Sequence, residues 1–279
     1  FAVLVALAAS PGCPTAPSSP VDAGPRVDGP VPSLDGAGPD APPALDTGPE
    51  SVIPPDDPGA GDVRFEVSSV RDRHAISPWI YGSNQVDAAD LHGETIARLG
   101  GNRWTAYNWE TNASNAGSDY LYQSDTYLGG GSAPGGAVRG PVEALHAAGL
   151  GALVTIPIAG YVAADTAGPT DGAGADRATR FFPTEPSSGG ALGAAPSLTD
   201  GRVYADEYAD WVRRELMPGG TVFFSLDNEP DLWSDTHAEI HPARVTYAEL
   251  ATRTINFAKG VKQTWPTVPV AGFVSYGWY

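Results

Sequence analysis

The stretch FFSLDNEPDLW, residues 223–233, ends an apolar run with two acids flanking an amide, then a proline and a tryptophan. A carboxyl group at the mouth of a buried strand, walled by Phe and Trp, is partly desolvated, and desolvation moves such a group toward the range of a proton donor. Glu229 is the candidate. Asn228 beside it can hydrogen-bond a substrate hydroxyl, Pro230 stiffens the turn, and Trp233 offers a ring to a sugar face. The combination suits the acid/base group of glycosidic bond cleavage. Strand parity does not choose between Glu229 and Asp227, which share one face of an ideal strand. The bland alternative is a strand-ending turn, with Asp231 capping the segment that follows.

Other chemistry-bearing residues carry weaker patterns. His237 and His241 stand four apart in THAEIHP, but a zinc-protease helix needs Glu directly after the first His, and Glu239 comes one position late. Hydrogen-bonding roles are expected for both. Asp165, Asp171 and Asp176 are the loop acids open to calcium; they lack EF-hand spacing, and solvation is expected. GGGSAPGG at 129–136 has neither the preceding buried strand nor the Lys-Ser/Thr ending of a phosphate loop.

The elements that must position Glu229 read as repeated strand-then-helix units. WIYGSN at 79–84 looks like a buried strand, AADLHGETIARLGG like a helix closed by Gly100 or Gly101, and NRWTAYNWE like a strand. GPVEALHAAGLGALVTIPIAG then gives a helix, a break at Gly149 and an apolar strand at 152–158. YADEYADWVRREL is an amphipathic helix, TVFFSLDNEP a strand, TYAELATRTINFAKGVKQTW a helix and VPVAGFVSYGW a fifth strand. Such a pattern predicts an α/β fold with a parallel sheet, either doubly wound or a (β/α)8 TIM barrel. Polar and aromatic residues gather after the strands, at Asn84 and Gln85, Tyr107 to Glu110, Tyr161, Asp227 to Glu229, and Tyr276 with Trp278. The long loops 111–140 and 159–200 fall there too, which is the barrel rule. A barrel takes about 250 residues, whereas about 200 follow Trp79, so only strands 1–5 are expected here.

Composition sets the context. A net charge of −17 and a pI near 4.4 argue against nucleic acid or an anionic membrane as partner. Residues 1–13 read as the remnant of a secretory signal. Cys13, the single cysteine, excludes an internal disulfide and sits where a bacterial lipobox would place an acylated residue, although Ser10 departs from that pattern. Residues 14–62 are built of Pro, Gly, Ala, Ser and Asp with no apolar periodicity, a linker composition. Globular sequence is expected from 63, first as the strand VRFEVSSV within 63–78 and then as the domain 79–279.

IYGSNQ, LGGNRWTAYNWETNASNAGSDY and FFSLDNEPDLWSDTHAEIHP, in this order and joined by GRVYADEYADWV, resemble glycoside hydrolase family 44, the endoglucanase and xyloglucanase family of clan A, over about residues 64–279. The resemblance implies a (β/α)8 barrel with an attached β-sandwich, to which 63–78 would give a strand. It implies retaining hydrolysis of β-1,4-glucan with Glu229 as acid/base, Asn228 on the sugar 2-hydroxyl, and Arg103 as the clan's active-site arginine. Trp104, Tyr107, Trp109, Trp233 and Trp278 are then candidate cleft walls. The family's nucleophile Glu comes from strand seven, whereas Glu94 and Glu110 map to no nucleophile. The chain is therefore expected to be an N-terminal fragment, inactive alone, of a monomeric enzyme that is secreted or held at the outer surface of a bacterium through Cys13. Its partner would be β-1,4-glucan, with no required cofactor. The competing readings are a non-catalytic glucan-binding surface lipoprotein and another clan A glycosidase such as a xylanase or mannanase.

Overall fold

A computed structural model describes residues 74–84, 91–193 and 195–277. The leader with Cys13, the 14–62 stretch, the strand expected at VRFEVSSV, Gln85 and Trp278 lie outside the described residues. The elements below belong to the compact unit that begins at Ser77.

After a 3-10 turn at Pro78–Ile80 come β1 (Gly82–Asn84), β2 (Ile96–Leu99) and the single helical turn α1 (Asn102–Thr105). A lobe of short strands, β3 (Ser114–Asn115) and β4 (Gln123–Asp125), precedes α2 (Gly136–Ala147) and β5 (Gly151–Ile156). A second excursion holds β6 (Tyr161–Ala163), β7 (Gly168–Pro169), α3 (Arg177–Arg180), β8 (Phe181–Glu185) and β9 (Val203–Tyr204). The chain continues through α4 (Ala205–Glu215), β10 (Val222–Leu226), α5 (Trp233–Thr236), α6 (Tyr247–Thr264) and β11 (Val270–Ala271).

Five strands run parallel in the order β1-β2-β5-β10-β11. Ala97 faces Ala152, and Phe224 lies between Val154 and Val270. Because strand side chains alternate, the register sorts the sheet into two faces. Ala97, Leu99, Ala152, Val154, Ile156, Val222, Phe224 and Leu226 are buried on one. There Phe224 meets Tyr208 of α4 and, edge-on, Trp265 just after α6. The other face carries Ile96, Arg98, Leu153 and Phe223, which are partly buried, with the buried hydroxyl residues Thr155 and Ser225. A polar strip on that face is what leads toward Glu229.

The helices follow from their own patterns. α4 buries Tyr208, Ala209, Trp211 and Val212, with acids in its first turn and Arg213 and Arg214 in its last, as the helix dipole favours. α6 starts where the Thr246 hydroxyl accepts the Glu249 N–H at 3.2 Å, and it buries Leu250, Phe257 and Val261 on one stripe. α2 ends before Gly149, whose φ of 80° suits glycine. These helices, and the strands at 151–156 and 222–226, agree with the sequence expectation.

Four segments differ from it, one being VPVAGFVSYGW, where the expected fifth strand is reduced to Val270–Ala271 and an isolated bridge at Val274. AADLHGETIARLGG was expected as a helix, but Ile96–Leu99 is a strand, because alternate burial of Ala97 and Leu99 fits a slot beside β5. Gly93, at φ 105°, itself lies outside helical geometry. NRWTAYNWE is one helical turn followed by loop rather than a strand. Asparagines in it and just after it divert the backbone: Asn108 Oδ1 accepts the Glu110 N–H, and Asn112, at φ 60°, accepts from Ala137 N and donates to the Gly129 and Gly131 carbonyls. WIYGSN yields only the three residues of β1, and Tyr81 and Ile80 are exposed rather than buried.

The start of α1 is locked to the segment after β10 by a buried pair. His237 Nδ1 lies 2.7 Å from Glu239 Oε1, and His237 Nε2 lies 2.8 Å from the Asn102 carbonyl. With acceptors at both nitrogens, the ring suits the doubly protonated form. Burial alone would lower its pKa, but Glu239, the Asn102 carbonyl and the Asp227 charge outweigh burial and raise it. Gly117, at φ 56°, packs against this pair: a Cβ there would stand 2.0 Å from the Thr236 carbonyl oxygen and 2.9 Å from the His237 ring.

Gly117→Ala should lower the unfolding free energy of the intact protein by about 2–4 kcal/mol in urea titration, from combined strain and clash. A raised histidine pKa stabilises fully below the unfolded value of about 6.5 and ceases to do so as pH rises through the folded value. The Tm gap between wild type and His237→Gln should therefore shrink between pH 6 and pH 9. A gap independent of pH would contradict the charged pair.

Candidate active site

β10 stops at Leu226, and the next three residues form an unusual corner. Asp227 and Glu229 both have positive φ, 71° and 42°, a conformation costing non-glycine residues about 1–3 kcal/mol each unless the surroundings hold it. The corner breaks strand alternation, so the shared face of Asp227 and Glu229 disappears. Asp227 turns inward and is 0% exposed, while Glu229 stays partly open. The structure thus separates two acids that parity alone left equivalent.

Both carboxylate oxygens of Asp227 are engaged. Its Oδ1 accepts from Thr105 Oγ1 and Asn228 N, each at 2.7 Å, and its Oδ2 accepts from Ile158 N and from Ala159 N at 2.9 Å. Glu229 is fixed by its main chain: its N–H donates to the Val274 carbonyl at 2.7 Å, and its carbonyl accepts from Leu232 N. A short polar chain ends on its carboxylate. Arg98 Nη2 donates to Asn228 Oδ1 at 2.9 Å, and Asn228 Nδ2 donates to Glu229 Oε2 at 3.0 Å. Arg98 Nη1 also reaches Asn84 Oδ1 at 3.3 Å. Burial lowers the Arg98 pKa, against the charges of Glu229 and Asp227, which favour its cationic form.

Several residues singled out in the sequence lie elsewhere. Arg103 lies in α1 and turns to the lobe that follows, where it pairs with Asp125 at 2.6 Å against the ring of Tyr127. The guanidinium that reaches Asn228 is Arg98, hidden in the sequence because its segment was read as a helix. Thr105 was missed for the similar reason that NRWTAYNWE was read as a strand.

Tyr107 and Trp109 are 1% and 3% exposed and are core residues rather than open cleft walls. The Tyr107 hydroxyl donates to Asn112 Oδ1 at 2.8 Å, and Trp109 stacks on Tyr208 at 5.4 Å. Trp104 packs edge-on against Tyr107. Trp233, 1% exposed, donates Nε1 to the Asn228 carbonyl at 3.1 Å, so it buttresses the corner instead of presenting a face. Exposed rings among the described residues include Tyr120 and Tyr127 in the lobe and Tyr276 after β11, whose N–H is directed at Asp231.

The remaining acids and histidines are also placed. Glu110 is buried, and burial followed by the charges of Asp200 and Glu207 pushes its carboxyl up to about 8. His241 bonds the Ala243 carbonyl and Glu249. Asp165 pairs with Arg180 at 2.8 Å, while Asp171 and Asp176 accept loop N–H groups. Among the described residues, no group of three His, Cys, Asp or Glu side chains could hold a metal ion.

Comparison with known proteins gives this corner its context. The model of glycoside hydrolase family 44 matches residues 113–279. Endoglucanase A of Paenibacillus lautus is 40% identical over 230 residues, covering 78% of this chain and 33% of the relative. The β-mannanase/endoglucanase A of Caldicellulosiruptor saccharolyticus is 36% identical over 77% of this chain and 17% of its own length. Among solved structures, the family 44 xyloglucanase of Paenibacillus polymyxa with xyloglucan superposes with a TM-score of 0.63 at 40% identity, over 70% of this chain and 40% of that one. The family 44 endoglucanase of Clostridium thermocellum gives 0.64 at 38%, over 71% and 41%. The chain thus spans a third or less of the length of these curated relatives. With the family model matching more than half of its residues, this chain belongs to glycoside hydrolase family 44.

Proposed function

We propose that the intact protein is a retaining endo-β-1,4-glucanase acting on cellulose or xyloglucan, with Glu229 as its general acid/base. The observation that carries this reading is the strained corner at the carboxyl end of a parallel strand, which buries Asp227 and leaves Glu229 open with Asn228 on one of its oxygens. Family membership supports the reaction class, and the names of the relatives support glucan as substrate. The catalytic fold in this reading is a (β/α)8 barrel flanked by a β-sandwich. The five described parallel strands belong to its wall, and the face bearing Arg98 is its interior.

In this mechanism Glu229 protonates the departing glycosidic oxygen from Oε1, because Oε2 is taken up by Asn228. Glu229 then removes a proton from the incoming water as the glycosyl intermediate is hydrolysed. A retaining reaction needs a second carboxylate about 5–5.5 Å away. Asp227, committed to four donors, is not that group, so the nucleophile is assigned to a residue outside those described. Arg98, joined to Glu229 through Asn228, is read as the cation that steadies that nucleophile, where the resemblance implies Arg103. The second amide proton of Asn228 is the one open to a sugar hydroxyl. Tyr120, Tyr127 and Tyr276 are the candidate rim of the cleft, and neither chemical step draws on a cofactor.

The apolar leader and the acidic, proline-rich stretch that follows it support export, with Cys13 as the attachment point for a lipid anchor. The intact enzyme is read as a monomer.

Wild-type intact protein should hydrolyse xyloglucan and carboxymethylcellulose, releasing the β-anomer first, and Glu229→Gln should lose about 10²–10⁴-fold in kcat. Unchanged activity would make the corner a mere turn. Since one relative is named a β-mannanase as well as an endoglucanase, mannan belongs in the same assay. A strict preference for mannan would overturn the substrate assignment.

A further inference from the structure

We propose that Asp227 is a positioning residue for Glu229: its buried carboxylate bolts the corner that carries the acid/base group to the loops following β2 and β5. The inference rests on the reading of Glu229 given above.

Three observations support it. First, the four donors to Asp227 come from three separate places: Thr105 in α1, Ile158 and Ala159 just after β5, and the neighbouring Asn228 N–H. One side chain therefore ties three consecutive strand ends together at the point where Glu229 projects. Second, two non-glycine residues with positive φ stand on either side of Asn228. Such a conformation persists only when its surroundings over-determine it, and the acceptors of Asp227, with Trp233 Nε1 on the Asn228 carbonyl, are what determine it here. Third, the three backbone partners are N–H groups, which only donate, so an amide in place of Asp227 would leave one donor facing another in either orientation. Arg98 and His237 lie close enough for their charges to interact with that of Asp227.

A displacement of about 1 Å at a reacting group costs on the order of 10²-fold in rate. A misplaced general acid has a selective signature, because only substrates with poor leaving groups need the proton. The test compares kcat/KM of the intact enzyme on an unactivated cello-oligosaccharide and on 2,4-dinitrophenyl β-cellobioside, for Asp227→Asn, Thr105→Val, Thr105→Ser and Glu229→Gln.

Asp227→Asn should lose about 10²-fold on the oligosaccharide and less than about threefold on the dinitrophenyl substrate. Thr105→Val, which removes a single donor, should show the same selectivity at about tenfold, and Thr105→Ser, which keeps the hydroxyl, should restore the wild-type ratio. If Asp227→Asn does not fold, the Thr105 pair carries the test alone. Equal losses on both substrates, or an unchanged ratio in Thr105→Val, would reduce Asp227 to a purely structural role and overturn the proposal. Glu229→Gln separates the two ideas: if it shows no leaving-group selectivity, the acid/base reading has failed rather than this one.

Discussion

A carboxylate with no access to water and four hydrogen-bond donors holds the end of β10 in a shape that its backbone would not otherwise keep. Charge buried in this way is costly unless every lone pair is engaged. Here the engagement is complete, and it links the segments after three neighbouring strands. The opening of Glu229 toward solvent is a consequence: the same corner that hides one acid turns out the other. Trp233 and the His237–Glu239 pair extend the clamp into the chain that follows, so a large part of the buried polar chemistry in this region serves to fix one short turn.

The sheet makes the arrangement workable. Its helix-covered face is apolar and packed by Phe224, Tyr208 and Trp265, which leaves the opposite face free to carry Arg98 and small hydroxyl residues. Arg98 can then reach Asn228 across a parallel register without breaking the core. Buried asparagines take over in the lobe after α1, where no regular element is long enough to satisfy the backbone. Asn115 Nδ2, for example, donates to the Tyr122 carbonyl and to Ser124 Oγ.

The sequence made the long amphipathic elements legible because periodicity survives wherever a helix or strand buries one face. α2, α4, α6, β5 and β10 were all readable in that way, as was the prominence of the Asp-Asn-Glu corner. Short elements were not. Ile96–Leu99 is too brief for its alternation to compete with the helical look of its surroundings, so the place of Arg98 on the sheet is not legible there. The aromatics misled for a different reason. Tyr107, Trp109 and Trp233 sit beside polar residues in sequence, yet their rings fill the interior and only their polar atoms face loop groups. Nothing in the one-dimensional pattern could reveal that Asp227 and Glu229 depart from strand parity, because the left-handed corner is imposed by partners more than sixty residues away.

The most direct test of the central claim is chemical rescue of Glu229→Ala in the intact protein, with 2,4-dinitrophenyl β-cellobioside as substrate and azide in the buffer. An acid/base variant still forms the glycosyl intermediate from this activated substrate but lacks the base that admits water. Azide should then accelerate turnover and yield the β-glycosyl azide, visible by NMR. An α-glycosyl azide would make Glu229 the nucleophile, and no rescue from an impaired but folded variant would remove it from the chemistry.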